Sequence, residues 1–136
     1  MLVEDAMSRS VVTLTPEYTL REAIELLRSR GIRHLPVVGG SKVVGIVTDR
    51  DVKRATPSLH SGVDRNQYER VLETTMVAQF MTRDPVTVTP KSTLRAAVTI
   101  FIERKVGALP VVEDGRLVGI LTDIDILRVV HDLLPE

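Results

Sequence analysis

Gly45-Ile46-Val47-Thr48-Asp49-Arg50-Asp51 returns 74 positions later as Gly119-Ile120-Leu121-Thr122-Asp123-Ile124-Asp125. In each copy a short apolar run ends at a threonine, and an aspartate follows three residues on. Such a run followed by a T-x-x-D signature reads as a buried strand that stops where a capped helix starts. The threonine caps the helix, and Asp51 or Asp125 occupies its third position, where a carboxylate also suits the positive end of the helix dipole. Working outward, the match runs without a gap from Met7–Ala55 onto Met81–Val129, with 22 of 49 pairs identical by direct count. Many other pairs are like for like, among them Ile24 over Val98, Leu26 over Ile100 and Val47 over Leu121. One small folding unit has been duplicated, and function is expected where the copies meet or where they differ.

The rest of each copy follows from the same patterning. Leu2–Met7 and Met76–Met81 read as short lead-in helices. Val11–Leu14 and Val86–Val88 read as short β segments, stopped at Thr15-Pro16 and Thr89-Pro90 because proline lacks the ladder N–H. Thr19 and Glu22 form a capping box, whereas Thr93 faces Ala96 and its box is incomplete. Leu20, Ala23, Ile24 and Leu27 fall on one helical face, repeated by Leu94, Ala97, Val98 and Phe101. Two strands follow, Leu35–Val38 and Val43–Val47, joined by Gly39-Gly40-Ser41-Lys42. The twin of that joint is Glu113-Asp114-Gly115-Arg116, a plain hairpin turn, so Gly-Gly-Ser-Lys is not read as a phosphate loop.

Each copy therefore reads β-α-β-β-α, and the fold class is α+β. Residues 1–55 form the first repeat, residues 56–75 a connector that turns helical near Tyr68, and residues 76–136 the second repeat. A copy of about 55–60 residues lies near the lower limit for a self-sufficient core, so the copies are expected to pack face to face as a pseudo-two-fold pair.

Composition excludes several classes. The 136 residues contain no cysteine, which rules out disulfides and thiolate metal sites. His34, His60 and His131 are scattered and form no metal set. Formal net charge is zero, which disfavours a nucleic-acid partner. No signal sequence and no apolar run of about 20 residues is present, so a membrane span is not expected and the cytoplasm is the expected location. The aromatics Tyr18, Tyr68, Phe80 and Phe101 are too few to build a stacking platform for bases. Neither a G-x-S-x-G nucleophile nor a pair of acids in contrasting environments is found, so no catalytic residue is expected.

The junction that ends in Asp51 or Asp125 carries chemistry beyond a cap. Free N–H groups and a partial positive charge at the start of a helix suit an anion. A carboxylate there can accept two hydrogen bonds from a vicinal diol, as acidic residues do for ribose in dinucleotide folds. The threonine adds a hydroxyl that can donate to a phosphate or sugar oxygen.

Met-Thr/Ser, V-T-h-x-P, the helix, Leu-Pro-Val-Val and V-G-I-h-T-D-x-D, occurring twice at fixed spacing, resemble a tandem pair of cystathionine-β-synthase (CBS) domains. The resemblance covers about residues 2–55 and 76–130. The chain is also similar to the paired N-terminal modules of acetoin-utilisation-type proteins. It departs from them in stopping at Glu136, which as an expectation leaves no room for a C-terminal regulatory domain.

The resemblance implies two repeats packed sheet to sheet, clefts related by the pseudo-two-fold, and adenosine ligands: AMP, ADP, ATP or S-adenosylmethionine. It implies that Asp51 and Asp125 hold the ribose diols, with Thr48 and Thr122 beside them. Val12, Thr13, Val86 and Thr87 would flank the base, and Arg33 and His34 would face phosphates.

The duplication then serves as an internal control. Arg33-His34 becomes Gly107-Ala108, Arg50 becomes Ile124, and Lys53 becomes Leu127. Residues 1–55 carry nine Lys/Arg against seven Asp/Glu, and residues 76–136 seven against eight. The first copy is thus the better anion holder, because arginine binds phosphate through a planar fork, and Gly107-Ala108 leave room instead.

The function expected is a regulatory module that binds an adenosine ligand, with no required cofactor. The competing readings are a purely structural or oligomerisation module with vestigial clefts, and a small enzyme. Apolar residues on the two Thr-x-x-Asp helices, together with the resemblance, point to a homodimer; a protein target remains open.

Overall fold

Why the chain folds as it does is clearest at its helix ends. A computed structural model describes residues 1–58, 60 and 62–136; positions 59 and 61 of the expected connector lie outside it. Its elements in chain order are α1 (Val3–Ala6), α2 (Leu20–Arg30), β1 (His34–Gly39), β2 (Lys42–Thr48), α3 (Asp49–Ala55), α4 (Arg65–Thr74), α5 (Val77–Phe80), β3 (Thr82–Arg83), α6 (Leu94–Arg104), β4 (Ala108–Glu113), β5 (Arg116–Thr122) and α7 (Asp123–Leu133). The α+β class stands, with antiparallel strand pairs and helices in both halves of the chain.

The caps form as the sequence indicates. Thr19 and Glu22 close a reciprocal box at the start of α2, whereas Thr93 caps α6 through the Ala96 N–H alone. Helix α2 stops at Gly31 with φ 60°, and α6 stops at Lys105 with φ 54° in the same left-handed conformation. Two expectations need correction. Val11–Leu14 and Val86–Val88 form no strand; each contributes one parallel bridge, Leu14 to Val37 and Val88 to Val111. Pro16 and Pro90 follow within two residues and cannot extend the ladder. The connector helix also starts earlier than Tyr68, at Arg65, because Asp64 and Gln67 form a further capping box.

The chain divides into two packing units. One comprises residues 12–40 and 44–84; the other comprises residues 1–11, 41–43 and 85–136. These units partition the chain differently from the sequence repeats, because each lead-in segment packs with the opposite repeat.

In the first unit the core joins Leu14, Ala23, Leu27, Leu35, Val37 and Val47 to Val77 and Met81 from beyond the connector. The Val77 N–H donates to the Tyr18 carbonyl at 2.7 Å, and the Leu20 N–H to Thr75 at 2.8 Å. Helix α4 buries Leu72 and is tied to α2 by Arg21, which ion-pairs with both Glu69 and Glu73. The hydrogen bond to Glu73, with Glu69 alongside, holds the Arg21 guanidinium above its ordinary pKa.

The second unit repeats the plan with Val3 in the core beside Val88, Leu94, Ala97, Leu109, Val111 and Leu121. Strands β4 and β5 pair antiparallel with Leu109 opposite Leu121 and Val111 opposite Gly119. The lead-in is held by the Val3 N–H donating to Ser92 at 2.8 Å and by Lys91 pairing with Glu4 at 2.9 Å. That hydrogen bond to Glu4 raises the Lys91 pKa.

Two glycines make the lead-in contacts possible. A Cβ on Gly45 would lie 2.6 Å from Met81 Sδ and 2.9 Å from the Thr82 carbonyl oxygen. On Gly119 it would lie 2.9 Å from both Met7 Sδ and the Ser8 carbonyl oxygen. In each unit the segment that follows the lead-in helix, β3 in one and Met7-Ser8 in the other, therefore rests directly on glycine backbone.

Candidate functional site

In the first unit, the buried end of β2 delivers Thr48 to the start of α3. The Thr48 N–H and hydroxyl both donate to Asp51 Oδ2, at 2.9 and 3.1 Å. The Asp51 N–H returns a bond to Thr48 Oγ1 at 3.1 Å. This box leaves Asp51 8% exposed, a buried carboxylate with Oδ1 outside the cap. The Asp49 N–H donates to the Arg33 carbonyl at 3.1 Å, which brings the start of β1 against the start of α3.

Arg33 and Arg50 are exposed, while His34 is half-buried with its Nδ1 out of solvent contact. Val12 and Thr13 are half-buried and precede Leu14, whose N–H donates to Pro36 at 3.0 Å. Of the residues expected to contact a ligand, Val12, Thr13, Arg33, His34, Thr48, Arg50 and Asp51 thus share one unit.

The other unit repeats the geometry with different side chains. The Thr122 N–H and hydroxyl donate to Asp125 Oδ2 at 2.8 and 3.0 Å, and Asp125 is 9% exposed. The Asp123 N–H donates to the Gly107 carbonyl at 3.0 Å, just as Asp49 does to Arg33. Ala108 is buried, Gly107 and Val86 are half-buried, and Thr87 is exposed. The Val88 N–H donates to Pro110 at 3.1 Å, holding Val86 and Thr87 near β4. Val86, Thr87, Gly107, Ala108, Thr122 and Asp125 share this unit.

Two contacts on the carboxylates escape sequence reasoning. Thr82 Oγ1 lies 3.3 Å from Asp51 Oδ1 and 3.4 Å from Oδ2. On Asp125 the second contact is Arg128, whose Nη1 lies 3.7 Å from Oδ1. A signal for both exists. Thr82 belongs to the repeated Met-Ser/Met-Thr doublet, and Arg128 stands three residues after Asp125 on one helix. Chemically, each junction offers a buried carboxyl acceptor with one oxygen already oriented by the cap. It offers no nucleophile paired with a base, and the described residues contain no group of three His, Asp or Glu placed to hold a metal ion.

Comparison with known proteins bears on the whole chain. The CBS domain family matches residues 3–58 and 77–132. An inosine-5'-monophosphate dehydrogenase of Korarchaeum cryptofilum is 39% identical over 124 residues, which are 90% of this chain but 23% of that enzyme. The chain therefore spans about a quarter of that relative. A solved acetoin utilization protein (AcuB) of Vibrio cholerae superposes with TM-score 0.80 at 33% identity, covering 98% of this chain and 92% of that one.

The CBS domain pair of protein MJ0100, solved with 5'-methylthioadenosine and S-adenosyl-L-methionine, superposes with TM-score 0.81 at 28% identity over 98% of both chains. CBSX2, solved with AMP, gives TM-score 0.78 at 28% identity over 97% of both chains. The duplicated T-x-x-D junctions, the two matched segments and the full-length superpositions agree, and the chain belongs to the CBS domain family, with two copies of the domain.

Proposed function

We propose that the chain is a regulatory module that binds an adenosine-containing ligand and performs no catalysis itself. The observation that carries this reading is the repeated buried carboxylate: Asp51 and Asp125 are 8% and 9% exposed, each with one oxygen bound by a capping threonine. The cap itself uses only one oxygen of each carboxylate, which leaves the other for further donors. The second oxygen can accept from a ribose hydroxyl. Thr48 and Thr122 flank it, and Val12, Thr13, Val86 and Thr87 supply the apolar and backbone edge for a base. Arg33, His34 and Arg50 favour phosphate in one unit, while Gly107 and Ala108 favour an uncharged group in the other.

Support comes from solved relatives holding AMP, 5'-methylthioadenosine and S-adenosyl-L-methionine. No helix among the described residues is long and apolar enough to cross a membrane, and the reading places the module in the cytoplasm. A thermal-shift series with AMP, ADP, ATP and S-adenosylmethionine tests the proposal. Ligand at 100 times its dissociation constant stabilises by about 2.7 kcal/mol. Unchanged melting in all four at millimolar concentration would favour a purely structural module instead.

A homodimer is part of the same proposal. Ile124, Leu127, Val130 and Leu134 are 44%, 59%, 43% and 64% exposed along one stripe of α7 and the residue that follows it. The same positions begin with Arg50 and Lys53 in the other copy, so the scaffold does not require apolar residues there. A stripe of this kind marks an interaction surface, and a second copy of the chain is the proposed occupant. Light scattering at high concentration should give about twice 15.1 kDa; a clean monomer contradicts it.

A further inference from the structure

We propose that Thr82 is the positioning residue of the Asp51 site and the route by which its occupancy reaches the connector. The inference rests on the reading of Asp51 as the acceptor for a ligand diol. Asp51 Oδ2 is held by two donors from Thr48. A carboxylate held at one oxygen still turns about its terminal torsion, which is broad for aspartate. Thr82 supplies the missing constraint, since its hydroxyl straddles the open edge at 3.3 and 3.4 Å from the two oxygens.

The residue that carries this hydroxyl is itself held through its backbone. Thr82 pairs with Ile46 and Arg83 with Gly45 where β3 meets β2, and the preceding Met81 is packed on Gly45. The plane of the Asp51 carboxylate is therefore set by a residue 31 positions away, from the other sequence repeat.

Position and strength together suggest coupling. Distances of 3.3 and 3.4 Å are long for an O–H···O bond, whose usual separation is about 2.7–2.8 Å, so the contact shifts readily when new donors arrive. Two ligand hydroxyls at Asp51 would join the two Thr48 donors and fill the carboxylate's roughly four acceptor positions, while the long Thr82 contact fixes its plane. Thr82 must then adjust, and β3 adjusts with it. Strand β3 follows α5 and α4 directly, and α4 is tied to α2 through Arg21, Glu69 and Glu73. In the other unit Ser8 stands in the place of Thr82 and pairs with Ile120, and among the described residues the further side-chain contact on Asp125 comes from Arg128 on its own helix.

The test uses the full chain with AMP as probe. Affinity is read by titration calorimetry and backbone order by hydrogen exchange at residues 65–83, from α4 of the connector to β3. Thr82→Val removes the hydroxyl at constant shape, and Thr82→Ser restores it. The expected results are AMP affinity at this site about threefold to tenfold weaker in Thr82→Val, near wild type in Thr82→Ser, and an AMP-dependent change of exchange at 65–83 only where the hydroxyl is present. A melting curve confirms that Thr82→Val is folded. Binding lost in Asp51→Asn but untouched in Thr82→Val, with the same exchange pattern as wild type, overturns this inference alone. Wild-type protein that binds no adenosine ligand overturns it together with the functional reading.

Discussion

Asp51→Asn is expected to weaken AMP binding in its unit by about tenfold to a hundredfold while leaving the protein folded. Asparagine keeps one carbonyl oxygen, enough to accept the Thr48 N–H that Asp51 Oδ2 now accepts at 2.9 Å. The amide puts an NH2 donor where the second carboxylate oxygen stands, so a ligand hydroxyl meets a donor in place of an acceptor. Hydrogen bonds to a charged acceptor are worth about 1.5–3 kcal/mol each, and the loss of one or two spans the expected range. The cost to folding should stay near 1 kcal/mol, the usual value of a weakened cap.

Asp125→Asn should do the same for the other unit, and the double variant should show no saturable binding heat. Calorimetry on the three variants checks this. Wild-type affinity in all three would leave the carboxylates as caps and remove the functional reading.

The second large effect concerns the segment that follows each lead-in helix. Gly45→Val is expected to destabilise the protein by about 3 kcal/mol, the upper end of overpacking costs. Even the first carbon of the side chain would lie 2.9 Å from the Thr82 carbonyl oxygen, which is backbone and cannot rotate aside. Met81 Sδ at 2.6 Å could move, but Met81 is itself buried in the core with Val77 and Val47. Strand β3 would have to lift from β2, taking Thr82 from Asp51.

A fall in melting temperature of roughly 10 °C is expected for a chain of this size. Gly119→Val should produce a similar fall through Met7 and Ser8, whose contacts mirror those on Gly45. Thermal unfolding followed by circular dichroism measures both, and a loss below about 1 kcal/mol would mean that this segment is not tightly seated.

Much of this architecture is legible in the chain because it is built from local rules. Capping boxes at Thr19, Thr48 and Thr122 depend on residues three apart, and all three form. The hairpin joints turn through Gly40, at φ 66°, and through Asp114 and Gly115, at 52° and 80°, where the turn residues stand in the sequence. The start of α4 was equally local: Asp64 and Gln67 carry a capping signature ahead of Tyr68. The Val11–Leu14 and Val86–Val88 segments mislead because β-branched residues favour extended backbone, yet a strand also needs a partner over several residues. Each finds one bridge before proline ends the ladder. Thr82 and Arg128 stay hidden as carboxylate contacts for different reasons: one is remote in sequence, and the other reads equally well as a solvated helix charge.

By itself the sequence determined the duplication, the order of the long helices and the two hairpin strands in each copy, their caps and the two junction acids, because these depend on residue type and short spacing. Only the tertiary structure decided which lead-in serves which body. Residues 1–11 pack with residues 85–136, and residues 76–84 with the first copy. The two lead-ins end in the same methionine, and the two bodies present the same glycine to receive it. Side-chain complementarity is therefore degenerate between keeping and exchanging the segment, and the long-range packing that breaks the tie has no signature at short range.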